Sequence, residues 1–138
     1  MTRIDFYDIA QSPRHQLEGL VCKLCHKAYD SRQKVLLFTA DEIQTEKLDR
    51  LLWVSDDESF LPHDQQEQAG LLTPILVNHQ AEPRGERELL INLSPQIPDW
   101  FAQFNRVIEI VTDDNKAQAR THYGFYKDRG YPLEHHKL

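Results

Sequence analysis

Five glycines stand at positions 19, 70, 85, 124 and 130, and their spacing bears directly on what chemistry the chain can do. A nucleotide phosphate is cradled by backbone N–H groups that approach it with no side chain in the way, which requires clustered glycines in patterns such as GxGxxG or GxxxxGK(S/T). No two glycines here lie close enough for either pattern, and the stretch DIAQSPRHQ at 8–16 offers no such loop. Cys22 and Cys25 have CxxC spacing. Structural zinc takes four ligands, there is no second ligand pair, and both cysteines fall inside a helical pattern. They are expected to be small residues at or beside a packed helix face. His135 and His136 could take up a metal ion adventitiously but are expected in a solvated tail. Asp5 and Asp8 suggest a phosphoacceptor pocket, yet no third acid and lysine can be placed at other strand ends. Seven histidines and many carboxylates leave a catalytic site open, but their spacing singles out no catalytic residue, cofactor-binding residue or metal ligand.

The 138 residues suit one domain spanning 1–138. Hydrophobic residues at 40% and charged residues at 28% are ordinary for a soluble globular protein. No apolar run approaches the roughly 20 residues of a membrane span. The opening MTRIDFYDIAQ places Asp5 and Asp8 where an export signal would be apolar. A cytoplasmic protein is expected, with its two cysteines reduced. The formal net charge of −6 disfavours direct nucleic-acid binding, because phosphate contacts usually draw on a basic surplus.

The elements that must position any site follow from periodicity. Residues 3–9 read as a strand. Leu17, Leu20, Val21, Leu24 and Ala28 share one face of a helix over about 15–30. KVLLFTA at 34–40 is a nearly continuous apolar strand, as expected where both sheet faces are covered. Asp41 can cap a helix through Trp53, with Ile43, Leu48, Leu51 and Leu52 on its apolar side. Further strands are expected at 74–79, 88–93 and 106–112, with a short helical segment from Trp100 to Phe104. A last helix runs from about Asp113 to Arg129 and stops at Gly130. Strands alternating with helices imply an α/β fold with a mainly parallel sheet.

Two surface features stand out. Trp53 and the following Phe60, Leu61, Pro62 and His63 either seal the sheet edge or form an exposed apolar patch of the kind that marks a protein interface. On the last helix, Lys116, Arg120, Tyr123 and Lys127 lie within an arc of about 60° at 100° per residue, while Ala119 and Tyr126 turn toward the core. Such a stripe is ordinarily a solvated face. The other reading is a pocket for an acidic peptide ending in an apolar residue, in which the guanidinium forks a carboxylate and the ring packs a side chain.

The segments LDRLLW at 48–53 and ESFLPH at 58–63 resemble the most characteristic stretch of DNA polymerase III chi subunits. DFYDI at 5–9, KVLLFTADE at 34–42, ELLINLS at 88–94 and RTHYGFYKDRGY at 120–131 agree in order, so the resemblance touches nearly the whole chain. It implies a Rossmann-like three-layer α/β fold without a nucleotide-binding loop. It also implies two partners, the psi subunit of DNA polymerase III and the acidic C-terminal tail of single-stranded DNA-binding protein. By the family pattern Trp53, Phe60 and Pro62 meet psi, and Val111, Lys116, Arg120 and Tyr123 take the tail. The competing expectations are an α/β enzyme of unknown substrate and an interaction domain for a repair helicase.

Overall fold

The computed structural model describes residues 1–12, 16–54, 63–64, 75–79 and 88–138, apart from the side chains at 53, 54, 63 and 64. Its strands are β1 (Arg3–Asp8), β2 (Val35–Phe38), β3 (His63–Asp64), β4 (Ile75–Asn78), β5 (Leu89–Asn92), β6 (Arg106–Val111) and β7 (Leu133–Lys137). Its helices are α1 (Leu17–Asp30), α2 (Glu42–Val54) and α3 (Lys116–Asp128), with a 3₁₀ turn at Phe101–Gln103. The strands form one sheet in the order β3-β4-β2-β5-β6-β1-β7, and every pairing among them is parallel. This is the α/β, three-layer, Rossmann-like architecture expected from the sequence.

The layers follow from chain direction. A right-twisted strand feeding a crossover returns to its sheet right-handedly, so moving left or right along the sheet selects the face that is covered. The steps from β1 to β2 and from β2 to β3 run in one direction and put α1 and α2 on the same face. The steps from β5 to β6 and from β6 to β7 run the other way, placing the 3₁₀ turn and α3 on the opposite face. Alternate strand positions divide between the layers. Val35, Leu37, Ile75, Val77, Leu89, Ile91, Ile108 and Ile110 join Leu20, Val21, Leu24, Leu48 and Leu52 under α1 and α2. Ile4, Phe6, Leu36, Leu76, Leu90, Val107 and Val111 join Phe101, Phe104 and Tyr126 under α3. Burial on both faces explains the nearly continuous apolar run in β2.

The helix ends agree with their sequence signals. Asp41 Oδ1 accepts the Gln44 N–H at 2.8 Å, and Gln44 Oε1 accepts the Ala40 N–H at 2.7 Å, closing the start of α2. Gly130 adopts φ 77°, which lets its own N–H reach the Lys127 carbonyl (3.0 Å) and the Tyr131 N–H reach that of Tyr126 (3.2 Å).

Three expectations are corrected. Ile43 is 78% exposed. It lies about 140° around the helix from Leu48, and buried Thr45 takes the inward position beside Thr39. The last helix starts at Lys116 rather than near Asp113, because the Asn115 side chain folds back, accepting the Thr112 N–H (2.8 Å) and donating to the Ile110 carbonyl (2.9 Å). His135 and His136 are not in a solvated tail. They belong to β7, which pairs along β1 from Ile4↔Leu133 to Asp8↔Lys137.

Candidate functional site

β1 and β6 are neighbours, yet their chains leave toward opposite faces, through α1 and α3 respectively. Open α/β sheets bind ligands beyond the carboxyl ends of strands at such divergences. A cleft of about 340 Å³ lies at this end on the α3 side, lined by Phe6, Asp8, Val111, Lys116, Ala119, Arg120, Tyr123 and His135.

Each wall has a local cause. Strand alternation points Phe6 and Asp8 of β1, Val111 of β6 and His135 of β7 toward the α3 layer. Phe6 and Val111 are nearly covered and make an apolar floor. The first two turns of α3 supply Lys116, Ala119, Arg120 and Tyr123. Tyr123, 37% exposed, meets Phe6 edge-on with ring centroids 5.4 Å apart. Arg120 is exposed and has no hydrogen-bond or ion-pair partner among the described residues. Lys116 Nζ contacts Asp113 Oδ1 at 3.1 Å, an exposed pair that links the first residue of α3 to the turn before it. Opposite α3, His135 Nε2 lies 3.4 Å from Asp8 Oδ2.

The cleft therefore brings together all four residues assigned from the sequence to one site: Val111, Lys116, Arg120 and Tyr123. It adds Phe6, Asp8, Ala119 and His135, which had not been assigned there. Lys127, the last member of the basic stripe, is exposed outside the lining. The chemistry on offer is an apolar floor beside two cations and an aromatic ring, which suits a peptide with carboxylates and a terminal apolar side chain.

A buried polar network holds α3 against the sheet beneath this cleft. Glu109 of β6 receives the Tyr126 hydroxyl (2.8 Å) and the Asn92 amide (2.9 Å) on Oε2, and faces His122 Nδ1 at 2.9 Å on Oε1. His122 Nε2 faces the Pro95 carbonyl at 3.1 Å. Burial works against a charged His122 ring, but the Glu109 hydrogen bond and charge, with the Pro95 carbonyl, outweigh it and raise its pKa above the ordinary value. Burial, reinforced by Glu109, pushes the Tyr126 phenol well up.

On the other sheet face Asp5 is fully buried. Burial alone would raise its pKa. The hydrogen bond from Arg106, helped by His136 and Arg3, prevails and holds the carboxyl below its ordinary value. Asp5, Glu134 and His136 bring three metal-ligand atoms within 4.8 Å of one another. Arg106 and Arg3 both occupy Asp5 Oδ2, so a cation would sit beside two guanidinium groups. The cluster's evident work is to join β1, β6 and β7. Cys22 and Cys25 are buried on α1 and form no disulfide, and burial, with Cys22 adding to it, pushes the Cys25 thiol well above its ordinary pKa.

Trp53 stands in the last turn of α2, while Phe60 and Pro62 lie outside the described residues. No described helix is long and apolar enough to cross a membrane.

Residues 1–134 match the model of the family described as DNA polymerase III chi subunit, HolC. A Pseudomonas aeruginosa protein named DNA polymerase III subunit chi is 36% identical over 140 aligned positions, covering 100% of this chain and 98% of that protein. Its namesakes from Haemophilus influenzae and Escherichia coli are 32% and 31% identical. These alignments cover 93% and 85% of this chain, and 92% and 82% of the relatives.

Proposed function

The chain belongs to the DNA polymerase III chi subunit family, and from that membership we propose that it is a non-catalytic adaptor linking a clamp loader to protein-coated single-stranded DNA. It holds the psi subunit through the Trp53, Phe60 and Pro62 segment. It takes the acidic, Pro-Phe-ending tail of single-stranded DNA-binding protein in the cleft beside α3. Tethering two modest contacts in one assembly raises the effective concentration of each partner.

The observation that carries the tail assignment is the convergence of Val111, Lys116, Arg120 and Tyr123, drawn from β6 and three positions of α3, on one cleft with an apolar floor. Arg120 has its guanidinium available for a carboxylate, and Tyr123 with Phe6 offers aromatic surface to an apolar terminal residue. The direct test is titration of a labelled acidic peptide ending in Pro-Phe against the full chain, beside a control with the same composition and a scrambled end. Saturable binding of the first alone supports the reading; equal binding of both, or neither, defeats it.

A further inference from the structure

The wall facing α3 contains a feature that an acid-binding site would ordinarily lack. Of the eight residues lining the cleft, Asp8 alone is a carboxylate. A fixed negative charge beside an acidic ligand opposes binding, and like charges brought together serve to exclude partners. Asp8 is not turned away. Its Oδ1 accepts the Ala10 N–H at 3.0 Å, which orients the group. Its Oδ2 faces His135 Nε2 at 3.4 Å.

His135 reaches that position through strand register. Its Cα pairs with Phe6, and Asp8 is two residues further along the same face of β1. The Leu138 N–H donates to the Asp8 carbonyl at 2.9 Å, closing the end of β7 against the carboxyl end of β1. The imidazole side chain is about half exposed, at 48%, whereas the carboxylate it contacts is 23% exposed. Both line the cleft, and the ring lies against the more buried Asp8 Oδ2.

We infer that His135 is a specificity-determining residue of the cleft: by covering the Asp8 carboxylate it makes the β1–β7 wall acceptable to an acidic peptide. This rests on the reading of the cleft as an acidic-peptide site. With Asp8 covered, the balance in the lining is set by Lys116 and Arg120. Uncovered, Asp8 offsets one of them.

A double-mutant cycle in the full chain tests the inference, with the labelled acidic Pro-Phe peptide as probe and a second peptide whose acids are replaced by glutamine. His135→Ala is expected to weaken the acidic peptide by roughly two- to five-fold, the scale of partly exposed charge interactions, and to do so most at low salt. It should leave the glutamine peptide unchanged. Asp8→Asn keeps an oxygen for the Ala10 N–H and should bind the acidic peptide at least as well as the parent. In the Asp8→Asn background, His135→Ala should cost little, whereas with Asp8 intact His135→Gln, which keeps a donor near that carboxylate, should resemble the parent. If His135→Ala is neutral, or equally costly with and without Asp8, the inference is overturned while the peptide site stands. If the parent chain itself fails to distinguish the acidic peptide, the site reading falls and takes this inference with it.

Discussion

His122 presents both ring nitrogens to acceptors: Nδ1 lies 2.9 Å from a Glu109 carboxylate oxygen and Nε2 lies 3.1 Å from the Pro95 carbonyl. Only an imidazolium can donate from both nitrogens at once, so the pair fastens α3 to β6 with a charge-assisted bond. The pKa of His122 is raised in the folded chain. The stabilisation is therefore fully present below the ordinary value of 6.5 and is lost as pH rises through the folded value. His122→Gln should lower stability by roughly 1–3 kcal/mol at mildly acidic pH, with the gap to the parent narrowing as pH rises. Thermal melts of both proteins across pH check this, and a gap that widens toward alkaline pH would refute the assignment.

Tyr126→Phe removes only the hydroxyl on Glu109 Oε2, which keeps the Asn92 amide as a partner. The expected cost is about 1 kcal/mol, far below that of emptying the ring's buried site. Chemical denaturation of this variant beside Tyr126→Ala measures the difference.

The cations and the ring of the cleft should separate by salt. Arg120→Ala is expected to weaken the acidic peptide by about 1.5–3 kcal/mol, the scale of a charge-assisted hydrogen bond. Tyr123→Ala should reduce binding at high salt as well, since its packing is not screened. Peptide titrations at two ionic strengths decide it, and two variants that bind like the parent would leave the stripe a solvated helix face.

Lys116 is engaged by Asp113 through an exposed pair. Asp113→Asn should therefore strengthen acidic-peptide binding by up to about five-fold at low salt, whereas Lys116→Ala weakens it and loses its effect as salt rises. Fluorescence titration of both variants shows whether the pair competes with the ligand.

Trp53→Ala should weaken psi binding by about 2 kcal/mol or more if this ring anchors that interface, while peptide binding stays at the parent level. Calorimetry with purified psi measures the first and peptide titration the second. Unchanged psi affinity with a large fall in thermal stability would place the ring in the core.

The α3 half of the cleft was legible because helical geometry is local: Lys116, Arg120 and Tyr123 share a face whatever the helix packs against. The other half depends on which strands are neighbours, and residue spacing does not determine sheet order. Phe6 and Asp8 face α3 by the two-residue period of β1, but they become cleft residues only once β1 sits between β6 and β7. β7 itself escaped notice because LEHHK has one aliphatic residue, Leu133, and lies at a sheet edge where polar side chains are tolerated. Ile43 was misplaced because its apolar character drew it to the core, although the positions of Leu48 and Leu52 already turned it outward.

The sheet order also sets a schedule for the growing chain. β1 is made first, yet both its neighbours are the last two strands, and its pairing with β6 joins Arg3 to Arg106 across most of the sequence. β2, β4 and β5 can find one another earlier. During synthesis the first strand must wait for the segment from 106 onward to leave the ribosome, so its apolar side chains Ile4 and Phe6 are candidates for chaperone protection in that interval. The cleft shares this timing, because its walls come from the first strand and the final third of the chain. A nascent chain lacking that final third has no complete cleft, which makes closure of the cleft a late event of folding during synthesis.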